Sequence, residues 1–278
     1  MVRVPPFGYR SGTAKLIDER IHATDMLLLK LVLTPLLIGG ASLAGRRFGP
    51  TVGGWLVGLP LTSGPVAFFL ALERGPDFAA HAAEGTLAGL VSVAVFCLAY
   101  GLLAPQWSWL PTVLSSLAVF FGATLILRLV DLPLALSFFM VVVVLTFVLR
   151  SLPSASAGGA GAPSLPSWDL PVRIAVATAF VVLLTGLAGA LGPRLSGLLS
   201  PLPIFAGVLA AFPHYQQGGA AAAGSVRGTV VGSFAFAVFF VVLAALLEAT
   251  GILAAFVAAV VAAALAQGLS LRFLRGEV

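Results

Sequence analysis

Apolar residues in this chain come in long, nearly unbroken runs, without the alternation or single apolar stripe of a soluble fold. Turn signals divide the runs into nine blocks. They cover about Met26 to Gly45, Pro50 to Leu72, Asp77 to Ala104, Ser108 to Leu129, Leu132 to Leu152, Leu170 to Ala190, Pro193 to Pro213, Gly219 to Leu247 and Gly251 to about Leu274. A helix needs roughly 20 apolar residues to cross about 30 Å of hydrocarbon, and the blocks are of that size. The pattern predicts an all-α polytopic membrane protein with about nine transmembrane segments.

A repeat organises these blocks. Shifting the chain by 143 residues lays Gly49-Pro50 on Gly192-Pro193, Gly54 on Gly197, Leu59-Pro60 on Leu202-Pro203 and Gly64 on Gly207. The match runs on through Phe69 and Phe212, Gly75 and Gly218, Gly85-Thr86 and Gly228-Thr229, Gly89 and Gly232, and Val95-Phe96 and Val238-Phe239. Apolar composition alone repeats Leu, Val and Ala, but not coincident Gly-Pro and Leu-Pro pairs, so the chain reads as a duplication. Residues 26–130 form repeat 1, 131–152 a linking helix and 170–278 repeat 2. Five crossings precede the second repeat if every block spans once. An odd number inverts the two four-segment repeats about a pseudo-two-fold axis in the membrane plane.

Composition agrees: 60% of the 278 residues are hydrophobic, 9% are charged, and the mean hydropathy is +1.10. Residues 1–25 hold Arg3, Arg10, Lys15, Asp18, Glu19, Arg20 and Asp25 and read as a retained tail, since no small-residue cleavage pattern follows a short apolar core. Residues 153–169, PSASAGGAGAPSLPSWD, have no apolar face and read as a flexible linker. The net charge of +5 is scattered over loops and helix ends, the pattern of headgroup contact and not of nucleic-acid binding. Lone Cys97 lies in an apolar run and implies no disulfide.

Candidate chemistry sits where the helices must break. Pro60 and Pro65 lie inside the second block with Gly58 and Gly64 beside them. Proline removes a backbone donor and clashes with the preceding turn. Pro60 is ten residues from Pro50, about 15 Å along a helix and so near the bilayer midplane. The seventh block repeats this with Pro203. Backbone groups freed at such depth need protein or a wet cavity around them, and paired broken helices point to a transporter's substrate site. Thr62 and Ser63, before Gly64-Pro65, suit an N-cap with proline at the first helical position. The half-helix that follows would aim its positive end at an anionic or strongly polar ligand. Opposite it, Phe205 offers an apolar wall beside Gly207. Alternatively, the break is a kink that satisfies itself.

Three further groups are candidates. Glu84 and Arg227 occupy the same repeat position, about seven residues into their blocks. Inversion would bring them near the midplane from opposite sides, Glu84 as a coupling carboxylate and Arg227 as an anion contact; the bland alternative is that both snorkel. His214 could titrate near neutral pH as a coupling group, or belong with Tyr215, Gln216 and Gln217 to an interfacial loop. His81 and Glu84 have half-site spacing without a second ligand pair, so no metal and no cofactor are expected. Lys30 and Arg173 read as snorkelling anchors, Arg128 and Asp131 as a pair across a tight connection, and Gly85-x-x-x-Gly89 as a helix-packing surface.

No Walker A loop, zincin helix, nucleophile elbow or triad is present, so no enzyme is expected. The duplicated unit, odd linking span and paired breaks resemble the inverted-repeat architecture of bile-acid-symporter-like and cation/proton-antiporter-like transporters. That resemblance is topological, spans about Leu27 to Leu274 and carries no ligand residues with it. It implies a secondary transporter of a small organic or anionic solute, coupled to H+ or Na+, in a bacterial inner membrane. The lipid bilayer is then its first partner, and oligomeric state stays open. A lipid or lipid-linked intermediate flippase and a non-transporting assembly partner are the alternatives. Orientation is open too, because basic residues divide almost evenly between the two ends.

Overall fold

The computed structural model describes residues 24–37, 39–40, 60–152 and 168–275. Most of the tail, the Gly49-Pro50 corner with the start of the second block, and nearly all of the 153–169 linker lie outside these residues. The described residues form nine helices: α1 (24–37, with 39–40), α2 (Ser63–Arg74), α3 (Pro76–Leu103), α4 (Trp109–Leu127), α5 (Leu134–Ser151), α6 (Asp169–Leu199), α7 (Ile204–Gln217), α8 (Gly219–Thr250) and α9 (Ile252–Arg275). Five of them, α3, α4, α5, α6 from Leu170 and α8, are long and apolar enough to cross a membrane. The molecule is therefore an all-α, multi-pass membrane protein. By contrast α2, with 12 residues, and α7, with 14, reach about 18 to 21 Å, well short of a bilayer.

Glycine and proline set the boundaries. Gly75 joins α2 to α3 with φ 92° and ψ 165°, and Gly218 joins α7 to α8 with φ 89° and ψ 178°. That backbone region is essentially closed to any residue with a Cβ. Gly192, at φ 76° and ψ 168°, interrupts α6 just before Pro193, so the element is a long helix to 191 followed by a short piece, 193–199. The ends of α2 and α7, the starts of α3 and α8, and the starts of α4 and α9 are each 143 residues apart. The sixth and seventh apolar blocks thus meet where expected, although the chain from 169 to 199 is helical on both sides of the corner.

Helices α3 and α8 pack against each other in the middle of the molecule and run antiparallel. Gly219 at the start of α8 lies on the carbonyl of Ala104 after α3, while Glu248 near the end of α8 lies beside Asp77 and His81 at the start of α3. Phe96, Tyr100, Phe240 and Leu243 are fully buried along this pair. The linking helix α5 touches both. On the outer helices the polarity is reversed from a soluble protein: Leu125, Ile126, Phe139, Phe147, Leu253 and Leu265 are exposed. Such a surface is stable against lipid tails and not against water.

The short piece 193–199 crosses α3 at its small residues. A Cβ on Gly85 would lie 3.2 Å from the Cα of Gly197, and one on Gly89 would lie 2.9 Å from the carbonyl of Leu198. Only glycine permits this approach.

Candidate functional site

The start of α2 meets the helix interruption before α7. Residues 60–62 are not helical and α2 starts at Ser63; residues 200–203 separate the 193–199 piece from α7. Ser63 Oγ donates to the carbonyl of Ser200 at 2.9 Å, and both residues are buried. The hydroxyl of Ser200 is itself buried without a hydrogen-bond partner. Pro201 and Pro203 enforce the second interruption, because neither supplies a donor to a continuing helix. Two amides freed there turn back locally, Leu202 N to Leu199 O at 3.0 Å and Ile204 N to Leu202 O at 2.7 Å.

The N-cap expectation at Thr62 needs correction. Thr62 does precede α2, but it adopts helical torsions and its side chain makes no cap hydrogen bond. Its carbonyl accepts from Val66 N at 3.1 Å instead. Helix α2 begins two residues before Pro65 rather than at it, and the Pro60 carbonyl accepts from Gly64 N at 2.7 Å. On the opposite side Phe205 and Gly207 lie in the first turn of α7. A Cβ on Gly207 would face the ring of Phe96, 3.8 Å away, so this glycine lies against α3. The groove lined by Gly251, Ala254, Ala258 and Leu265 runs along α9 and includes none of these residues.

Glu84 and Arg227 are not brought together. Antiparallel packing puts Glu84 near one end of the α3–α8 pair and Arg227 near the other, about 15 residues apart in register or roughly 22 Å. Both are half-buried. Arg227 Nη1 donates to the Leu149 carbonyl at 2.8 Å and the Leu152 carbonyl at 3.5 Å, capping the last turn of α5. Sequence position could not give this contact, because the acceptors lie 78 and 75 residues away.

His214 lies in the last turn of α7, not in a loop, and is buried. Its Nε2 is 3.1 Å from the Trp107 carbonyl, which can only accept, so Nε2 carries a hydrogen and donates. In the neutral ring Nδ1 then accepts from the Tyr100 hydroxyl at 3.2 Å. The imidazole thereby fastens α7 to the end of α3.

A group that the sequence reading passed over lies between α1, α2 and α6. Lys30 does not snorkel. Its side chain is 7% exposed, and Nζ lies 2.6 Å from Glu73 Oε1 and donates to Thr185 Oγ1 at 2.7 Å. Thr185 in turn donates to the Val181 carbonyl at 2.7 Å, and the Phe69 ring centroid is 5.7 Å from the ammonium. Helices α1 and α6 run antiparallel here, since Lys30 meets Thr185 while Gly39 meets Ile174. On the same face Thr34 and Thr178 are buried, and neither hydroxyl has a hydrogen-bond partner. The only advance signal was a lysine inside an apolar run, which also fits an anchor.

Two surface groupings also differ from expectation. Asp131 pairs with Arg194 rather than with Arg128. Asp77, His81 and Glu248 bring one ligand atom each within 4.8 Å of one another, all three residues exposed. Glu84, whose spacing to His81 resembles a half-site, is not among the three.

Fold and site together define a multi-pass α-helical membrane protein in whose interior the start of α2 meets the interruption before α7. Comparison with protein-family models, with curated proteins and with solved structures returns no match.

Proposed function

We propose that the chain is a secondary transporter that moves a small organic or anionic solute by alternating access, coupled to H+ or Na+. The observation that carries this reading is the Ser63 to Ser200 hydrogen bond, by which the non-helical start of α2 meets the interruption before α7. Unwound backbone at membrane depth is costly unless it serves a cavity or a ligand.

Residues 26–130 and 170–278 are, in this reading, inverted repeats joined by α5. The 143-residue spacing of helix ends supports it, as does the matching of Gly75 with Gly218. Antiparallel packing of α3 on α8, the repeat-related pair, is what an axis in the membrane plane requires. Thr62, Ser63, Gly64 and Gly207 then border the solute path, which opens when the interrupted segments separate. Glu84 and His214 remain candidates for coupling, at opposite ends of the molecule, and Arg227 for an anion contact in another state.

Uptake of labelled organic anions into proteoliposomes, with imposed proton or sodium gradients, tests the proposal. Gradient-driven accumulation abolished by bulky substitution at Ser63 supports it; failure across a broad panel in reconstituted, folded protein overturns it. The α9 groove, lined mainly by apolar residues of one outer helix, favours a second reading as a lipid flippase. Scrambling of labelled lipid in the same vesicles without solute uptake would select that reading.

A further inference from the structure

We infer that the slot between α1 and α6 is an anion site in which Lys30 holds a small carboxylate- or sulfonate-sized anion whenever Glu73 is protonated. The inference rests on the transporter reading for its purpose and not for its test. It identifies a binding group separate from the Ser63–Ser200 crossing.

Three observations lead to it. First, Lys30 is a buried ammonium whose charge is balanced by one carboxylate, Glu73, which is 20% exposed and so reachable by protons. Second, Thr34 and Thr178 are buried hydroxyls without partners. A buried donor left unpaired is costly, and in native proteins it usually marks a water, an ion or a ligand. Third, the antiparallel register of α1 and α6 sets these two threonines at one level, about one helical turn along α1 from Lys30. Thr178 lies about two helical turns along α6 from the Thr185 that Lys30 contacts, so the cation and the two hydroxyl donors are strung along one interface, an arrangement that suits a monovalent oxyanion once Lys30 swings from Glu73.

Glu73 acts as the internal competitor. When a proton adds to its carboxylate oxygen, the Lys30 ammonium keeps its charge and takes the external anion in place of Glu73. One proton and one anion enter together, and the net charge of the slot is unchanged. When both leave, the Lys30–Glu73 pair re-forms. The other ionisable groups at this end of the surrounding helices are Asp25 on α1, Arg74 on α2, which lies on Gly189 of α6, then Asp77, His81 and Glu84 on α3, and Arg194 in the short piece after Gly192.

The test is equilibrium binding of methanesulfonate, an anion that does not titrate across the range used, to the full chain in detergent at an acidic pH below the ordinary carboxylate range and at neutral pH. Ligand-induced stabilisation against thermal unfolding is the readout. The wild type should bind more tightly at acidic pH, and Glu73→Gln should bind equally well at both. Thr34→Val and Thr178→Val keep the ion pair intact and should each weaken binding roughly tenfold. Lys30→Gln leaves Glu73 unpaired and could fail to fold, so the double substitution Lys30→Gln with Glu73→Gln accompanies it and should bind no anion. PH dependence persisting in Glu73→Gln, undiminished binding in the double variant, or no binding by the folded wild type at either pH would each overturn the inference. If binding fails while proteoliposomes still accumulate solute, this site falls and the transporter reading stands; if binding holds while uptake fails, the reverse is true.

Discussion

Lys30 and Asp131 show how differently two ion pairs are placed in this molecule. Lys30 and Glu73 are mostly withdrawn from solvent, whereas Asp131 is 91% exposed beside Arg194. Breaking a buried pair strands a charge, at a cost of about 3–5 kcal/mol, while replacing both partners with apolar residues is often close to neutral. Lys30→Met should therefore destabilise the protein by roughly that amount in denaturant titrations in mixed micelles. Lys30→Met combined with Glu73→Leu should recover most of the loss. A double variant as unstable as the single one would show that Lys30 acts through packing on Phe69 rather than through charge. For Tyr100→Phe the expectation is smaller. It leaves His214 Nδ1 without its donor in a buried site, and the loss should be about 1–3 kcal/mol in the same measurement. Neither contact could be read in advance, because Lys30 and Thr185 are 155 residues apart and Tyr100 and His214 are 114 apart. A lone lysine in an apolar run says only that it must find a partner or reach the surface. Tertiary structure decides which.

At the scale of helices the sequence is far more informative, for a physical reason. In hydrocarbon the backbone must be satisfied within each segment, so apolar runs become helices and glycine or proline marks their ends. Most predicted blocks accordingly begin and end within a few residues of an observed helix. The departures occur where local signals compete. Gly192 turns the chain while hydrogen bonding stays helical on both sides, and the polar residues His214 to Gln217 continue α7 because the imidazole is tied down at its end. Gly75 and Gly218 carry a definite cost if changed. Alanine at either position must enter a strained backbone region, so Gly75→Ala and Gly218→Ala should each destabilise by about 1–3 kcal/mol. Near-identical losses at the two sites are expected from their matching torsions. A negligible effect at one site alone would mean that the chain there can relax.

For the whole molecule, the antiparallel α3–α8 pair fixes which loops share a membrane face. Asp131 and Thr250 belong at one end, and Gln106 and Gln217 at the other, by the ends of the helices they follow. Single cysteines at these positions should label with a membrane-impermeant maleimide from opposite sides of intact vesicles, two by two. Cys97 is fully buried and should stay silent. Labelling of all four from one side would break the arrangement. The 143-residue spacing of helix ends was legible in paired glycines such as Gly75 and Gly218, whereas the contact of Ser63 with Ser200 was not, since the two residues are 137 positions apart.

The connection between α3 and α8 also constrains how the chain can be made. A translocating ribosome delivers helices one at a time, and each crossing reverses the next. The two central helices end up antiparallel because four passes lie between them, α4, α5, α6 and the bent segment from Pro193 to Gln217, an even number. Excising α5 alone would leave three and deliver α8 upside down, with its buried phenylalanines meeting the wrong end of α3. A nick in the Ser- and Gly-rich stretch after α5 changes no reversal count. Two separately synthesised fragments divided there retain a route to the native pairing, while a single-helix deletion has none.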